Sequence, residues 1–164
     1  MAKISTDQDT RPAPNAGAAP ARAADAAGAL QALAAQLAAT AVERDRAGGH
    51  AAAERELIRA SGLLRLSVPT QYGGAGAHWS TVLAAVRTLA EADSALAHVF
   101  GFHHLQVAGV LLYGTTEQHA YFLRPTVERN LFWGNALNPL DRRVVARAEL
   151  DGYRIDGVKN FSSG

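Results

Sequence analysis

The sequence predicts a mainly α-helical chain with a short β portion at its C-terminal end, an α+β arrangement. Alanine and leucine recur at helical spacing over most of residues 23–130, whereas the pattern after Leu131 alternates as a strand does. Residues 1–22 are rich in Ala, Pro and Gly and are expected to be a disordered tail. We therefore expect a helical domain over residues 23–130 and the opening strands of an incomplete β domain over residues 131–164.

Two helices are predicted first, over residues 23–47 and 50–61. Glycines follow both segments, at Gly48, Gly49 and Gly62, and glycine is a common helix stop. The residues that form the inward stripes are Leu30, Leu33, Leu37, Leu57 and Ile58. Both segments are thus predicted to be packing helices.

The glycine-rich segment from Val68 to Gly76 is predicted to be a structural turn. It contains neither a GxGxxG fingerprint nor the Gly-Lys-Ser/Thr of a phosphate-binding loop. Its glycines instead suit backbone conformations with positive φ.

Three further helices are predicted before the β portion. Ser80 is a candidate N-cap for the third, which ends near Asp93, and Ser94 is a candidate N-cap for the fourth. The fourth, over residues 95–113, is apolar on nearly every face, which is typical of a helix in the middle of a bundle.

The fifth helix is short. Thr115 and Gln118 have the spacing of a capping box, and we expect the helix to run through Phe122 and the helical half to end at Pro125.

A β-hairpin is predicted in the last 21 residues. Val144 to Leu150 alternates like a half-buried strand, and Asp151-Gly152 fits a two-residue turn. A second Asp-Gly pair at Asp156 requires the returning strand to turn or bulge before Val158 to Phe161.

Composition excludes several classes of function. The chain has 16 Lys and Arg against 15 Asp and Glu, a net charge of +1, so no nucleic-acid or anionic-membrane partner is expected. It has no cysteine, which rules out disulfides and zinc-thiolate sites in these residues. No unbroken apolar run approaches about 18 residues, and no secretion signal is recognisable, so a soluble, cytoplasmic protein is the expectation.

Several motifs in order carry a family resemblance. The segments GLLRLSVPTQYGGAG, LLYGTTEQHAYFL and YRIDGVKNFSSG resemble the first part of the acyl-CoA dehydrogenase superfamily, over about Ala51 to Gly164. Dehydrogenases of this superfamily carry a Thr-Glu-Pro and then a Gly-Ser-Asp signature here. In this chain the corresponding segment, from Gly134 to Asp141, begins Gly134-Asn135-Ala136 and contains neither signature. That motif, with the later KNFSSG, resembles the flavin-dependent monooxygenases of dibenzothiophene desulfurisation and their sulfur-acquisition relatives.

The resemblance implies an activity for a full-length parent. Such an enzyme would use O2 and reduced FMN, supplied by a separate flavin reductase, to oxygenate a small organosulfur or aromatic compound. It would be a homo-oligomer, a dimer or a tetramer. The alternatives are FAD in place of FMN, an FAD-dependent acyl-CoA dehydrogenase, and a truncated, non-catalytic helical module.

A substrate pocket is expected on the fourth helix. His98, Phe102 and Leu105 share one stripe at i, i+4 and i+7, and the resemblance assigns those positions to the cavity wall beside the flavin. His98 is accordingly a candidate catalytic residue, expected to orient substrate with Phe102.

The candidate flavin contacts lie after the helices. Asn135 sits in an apolar segment where an amide needs a partner, either neighbouring backbone or, by resemblance, the flavin and the oxygen that it activates. The resemblance places Ser163 beside the N5 edge of the ring, with Ser162 next to it. Trp133 and Phe161 are either core aromatics or walls beside the ring.

Metal binding and hydrolysis are not expected. His98, His103 and His104 spread around the helix axis instead of sharing a face, and His103 and His104 are best interpreted as satisfied core or surface histidines. Neither a G-x-S-x-G elbow nor a carboxylate pair for hydrolysis is present.

Overall fold

The computed structural model describes residues 23–138 and 140–163, with side chains from Ala26 onwards, so the expected tail lies outside the described residues. The order of elements confirms the mainly α, α+β prediction. The helices are α1 (Ala23–Ala47), α2 (Ala52–Ala60), α3 (Trp79–Ala92), α4 (Ser94–Tyr113) and α5 (Thr116–Glu128). The strands are β1 (Val145–Glu149) and β2 (Gly152–Asp156), and short 3-10 turns cover Leu63–Arg65 and Thr70–Tyr72.

Helix α4 lies at the centre of the helical domain, as its apolar pattern predicts. It contacts α2, α3 and α5 and supplies side chains to both hydrophobic clusters. Phe100 belongs to the larger cluster, with the predicted α1 leucines Leu33 and Leu37, and Val107 belongs to the smaller one. Burial of such side chains contributes about 1.5–3 kcal/mol each, so α4 stabilises the packing of the helices that it contacts.

Helix α4 has the length and mean apolar composition of a membrane span, although three histidines and Gln106 interrupt its apolar run. Two of these histidines, His103 and His104, are fully buried and hydrogen-bonded to Leu64 and Ser67. These contacts are those of a core helix inside a helical bundle.

The junction between α3 and α4 corrects the predicted caps. Asp93, not Ser94, is the N-cap of α4, because its Oδ1 accepts a hydrogen bond from Leu96 N at 2.9 Å. Arg44 of α1 then bonds the same carboxylate at 2.8 Å and Glu54 of α2 at 3.1 Å. A single guanidinium thus joins three helices, an arrangement that Asp allows and Ser does not.

Two other helix ends differ from prediction. Helix α3 follows His78 rather than a Ser80 cap, and His78 makes no side-chain cap hydrogen bond. Helix α5 begins with the predicted Thr115–Gln118 capping box but continues through Pro125 to Glu128. The proline deprives only the Tyr121 carbonyl of its helical donor, and that residue is largely exposed, so water can replace the bond.

The glycine-rich segment is a structural turn, as predicted. Gly73 and Gly76 have positive φ angles of 88° and 62°. Gly74 packs so closely on the backbone of Val68 that no Cβ fits there.

The β-hairpin forms, but its burial and register differ from prediction. Glu149 pairs with Gly152, so Leu150 and Asp151 form the two-residue turn, one position earlier than Asp151-Gly152. Every residue of both strands is exposed, which overturns the half-buried interpretation of β1. Alternation specifies register only where one face is buried, and no described residue covers either face.

Candidate functional site

The last described residues return to the segment that follows the helical domain. Asn135 N donates to Ser163 O at 2.6 Å and Ser163 N donates to Asn135 O at 2.7 Å, an isolated antiparallel bridge. Between them, the chain runs through the hairpin, with strand structure ending at Asp156 instead of continuing toward Phe161. The bridge joins two residues that the sequence separately singled out.

Helix α4 supplies the third member of this cluster. His98 Nε2 lies 3.2 Å from Ser163 Oγ, and the His98 ring lies 4.5 Å from the Phe102 ring, centroid to centroid. Leu105, the remaining residue of the predicted stripe, is exposed. The His98–Phe102 pair therefore stands at the open edge beside Ser163, where a small molecule can reach it.

Gln106 completes the cluster and was not predicted. Its Nε2 donates to Asn135 Oδ1 at 2.8 Å, and the backbone N–H of Leu137 donates to the same oxygen at 3.2 Å. A signal existed in the sequence, since Gln106 is a polar residue one turn beyond Phe102 on an otherwise apolar helix. Only the fold shows that it meets Asn135.

A fully buried histidine anchors the same segment to the helical core. The Nδ1 atom of His103 accepts from Trp133 N at 3.1 Å, so Nε2 carries the proton and donates to Leu64 O at 2.7 Å. The pKa of His103 is lowered to about 4, chiefly by burial and also by the Arg59 charge, against the opposing effect of the Leu64 hydrogen bond. His103 is thus neutral at pH 7 with both ring nitrogens satisfied.

His104 is buried with one ring nitrogen unsatisfied. Its Nδ1 lies 2.7 Å from Ser67 Oγ, whereas Nε2 has no partner. Burial and the neighbouring His103 lower its pKa to about 3. No group of three side chains suited to a metal ion occurs within residues 26–138 and 140–163.

Trp133 faces α5. Its indole N–H donates to Thr126 Oγ1 at 2.9 Å, and its ring lies edge-on to Phe122 at 5.9 Å. These contacts are those of a structural aromatic, the alternative that the sequence left open, and they hold the segment before Asn135 against the helical domain.

Phe161 and Ser162 are both exposed at the rim of the cluster. Phe161 has φ of +60° and an 83% exposed side chain. A non-glycine residue in this region costs about 1–2 kcal/mol, and such strain concentrates at ligand sites. Ser162 contributes to a cavity of about 820 Å³ among the ends of α1 to α4, which His98 and Asn135 do not line. The cluster is therefore an open edge, not the wall of that cavity.

The hydrogen-bond donors of this cluster, Asn135 Nδ2 and the Ser163 hydroxyl, suit a planar ring that carries acceptors along one edge, as a flavin does. Because a backbone N–H can only donate, Leu137 identifies the Asn135 atom that it meets as Oδ1. The two hydrogens on Nδ2 find no partner among the described residues, and Ser163 adds a hydroxyl. An exposed aromatic at Phe161 is suited to the face of such a ring.

A helical domain centred on α4, followed by a polar edge beside a hairpin, is a fold of the acyl-CoA dehydrogenase N-terminal type. Residues 24–130 match the family model described as acyl-CoA dehydrogenase, N-terminal domain. The chain belongs to this family.

The similar proteins with known names are oxygenases. The chain is 50% identical over 133 residues to a probable FMNH2-dependent monooxygenase, SfnC, of Pseudomonas putida, covering 80% of this chain and 33% of that protein. It is 47% identical over 132 residues to the dibenzothiophene monooxygenase of Rhodococcus qingshengii, covering 77% and 32%. The chain therefore spans about a third of the length of these relatives.

Solved structures agree. The methanesulfinate monooxygenase MsuC of Pseudomonas fluorescens superposes with a TM-score of 0.76 at 51% identity, over 79% of this chain and 34% of that one. FMN-bound TdsC from Paenibacillus sp. A11-2 superposes with a TM-score of 0.78 at 42% identity, over 85% and 36%.

Proposed function

We propose that this chain supplies the helical domain and one side of the flavin site of a monooxygenase that uses reduced FMN and O2. Its substrate would be a small organosulfur or related aromatic compound. The similar proteins support this reading, since one is named an FMNH2-dependent monooxygenase and others act on dibenzothiophene or methanesulfinate.

The observation that carries the proposal is the cluster of His98, Gln106, Asn135 and Ser163. Four polar residues from three distant parts of the chain meet at one open edge, joined by side-chain and backbone hydrogen bonds of 2.6 to 3.2 Å. Structural packing alone does not need a strained, exposed aromatic at Phe161, or Asn135 amide hydrogens that find no partner among the described residues.

Each residue has a role in this proposal. The bound reduced FMN supplies the electrons that activate O2. Asn135 donates from Nδ2 to the flavin edge, while Ser162 and Ser163 bind beside the ring and His98 holds the Ser163 hydroxyl. His98 and Phe102 orient the substrate, and Leu105 and Phe161 exclude water from it, with Trp133 keeping the Asn135 segment in place.

The partners follow from the cofactor. A separate flavin reductase would supply the reduced FMN, and the complete protein would be a cytoplasmic homo-oligomer in which further polypeptide covers the exposed hairpin. Acyl-CoA dehydrogenase chemistry is the competing possibility, and the assay below separates it from oxygenation.

The test uses the complete protein that contains this chain, with a reductase, NADH, FMN and O2. Methanesulfinate and dibenzothiophene are offered, and oxygenated product is counted per O2 consumed. We expect coupled turnover in wild type. In Asn135→Ala and His98→Ala, the product formed per O2 consumed should drop about a hundredfold, the size of effect that follows the removal of a positioned polar group. His78→Ala, an exposed histidine with no cap bond, is the matched control and should behave as wild type.

Two results would contradict the proposal. If wild type and the site variants consume O2 with the same product yield, the assigned roles fail. If an acyl-CoA bleaches the bound flavin stoichiometrically without O2, the enzyme is a dehydrogenase.

A further inference from the structure

The orientation of the Asn135 amide is set by two donors on its oxygen. Leu137 N–H and Gln106 Nε2 both meet Oδ1, so Nδ2 points the opposite way. A 180° rotation about the last side-chain bond would exchange the two atoms with almost no change in shape. The same position would then offer an acceptor in place of two donors.

We infer that Gln106 is a positioning residue that, together with the Leu137 N–H, keeps the donor end of the Asn135 amide toward the ligand. The inference rests on the proposed flavin site and adds a residue to it. Gln106 touches Asn135 and makes no contact of its own with a ligand in this role.

The surrounding structure fixes the backbone of Asn135, so the rotation of its side-chain amide is the movement that remains to be restrained. His103, one turn before Gln106 on α4, binds Trp133 N and is itself fixed to Leu64 O. The bridge to Ser163 holds Asn135 through both of its backbone groups. The backbone of Asn135 is therefore restrained on both sides, and its amide is free to turn unless a donor holds Oδ1.

Three substitutions at Gln106 differ in the hydrogen bonds that they leave for the Asn135 amide. Gln106→Leu leaves the Leu137 bond, and one neutral hydrogen bond still favours the native orientation about fivefold. Gln106→Lys keeps a donor for Oδ1. Gln106→Glu places a carboxylate 2.8 Å from where Oδ1 now lies, so the amide must turn and donate to it.

The experiment measures FMN binding to the complete protein by flavin fluorescence, and coupled product formation in parallel. We expect Gln106→Glu to raise the FMN dissociation constant at least about fivefold and to lower coupling about a hundredfold. Gln106→Lys and Gln106→Leu should both stay within about threefold of wild type. Gln118→Glu, the same chemical change in the exposed capping box, should leave both quantities unchanged, since a carboxylate also accepts from Thr115 N.

The outcomes distinguish the inference from the proposed function. Equal losses in the Glu, Lys and Leu variants would mean that Gln106 acts through packing, which overturns the inference. An unaffected Glu variant overturns it as well. If wild type binds FMN but oxygenates no sulfur compound, the proposed activity fails, while a Glu-specific loss of FMN affinity still supports the role of Gln106.

Discussion

Lowering the pH from 7 to 5 should destabilise the helical domain through two buried histidines. His103 and His104 are both 0% exposed, with pKa values of about 4 and about 3 in the folded chain. In the unfolded chain both take up a proton near pH 6.5. Between pH 6.5 and about 4 the unfolded state therefore binds more protons, and the free energy of unfolding falls as the pH falls.

The magnitude follows from the two pKa shifts. From pH 7 to pH 5 each histidine removes about 2 kcal/mol of stability, roughly 4 kcal/mol for the pair. The lowered pKa of Asp93 acts in the same direction but only below about pH 5, where carboxylates begin to protonate. Because a domain of this size is stable by about 5–15 kcal/mol in total, the two histidines should remove between about a quarter and four fifths of its stability at pH 5.

Urea unfolding of the 164-residue chain at pH 7, 6 and 5 measures the effect, with tryptophan fluorescence and far-UV circular dichroism compared to verify a single transition. His103→Gln should halve the pH dependence, and His104→Gln serves if the first variant does not fold. An unfolding free energy that changes by less than about 1 kcal/mol between pH 7 and pH 5 would refute the reasoning.

Two further predictions concern the ion pairs and the glycine packing of the helical domain. Arg44→Ala should lower the unfolding free energy by about 3 kcal/mol, because it leaves the partly buried carboxylates of Glu54 and Asp93 without their cation. Arg44→Lys should lose less, because it keeps the positive charge. A loss below about 1 kcal/mol in urea titration would mean that these ion pairs are as weak as surface pairs. Gly74→Ala should cost about 2 kcal/mol, since the new methyl group overlaps the Val68 carbonyl. Gly109→Ala, in open space on α4, should instead stabilise by up to about 1 kcal/mol, and equal effects of the two glycine variants would contradict the packing argument.

Local signals predicted the helices better than their ends. The Thr115–Gln118 capping box was confirmed because all of its bonds lie within four residues. The choice of Asp93 over Ser94 could not be made from sequence, since both are good N-caps and Arg44, 49 residues away, bonds the carboxylate of Asp93.

The candidate site shows the same division. The spacing of His98 and Phe102 predicted one helix face, and the two rings do lie 4.5 Å apart. Gln106 was missed because its partner, Asn135, lies 29 residues further along the chain. The predicted register of the hairpin was wrong by one residue because no described residue buries either of its faces.

The sequence by itself determined the helical elements, the α+β order, the turn at Val68 to Gly76 and the family motifs, since these depend on residues that are near neighbours in the chain. Tertiary structure alone decided that Asn135 meets Ser163 and Gln106, that His103 holds Trp133, and that the His98 side chain reaches Ser163. These contacts join residues 28 to 65 positions apart, and hydrogen bonds of that kind depend on how whole helices pack, which no local pattern encodes.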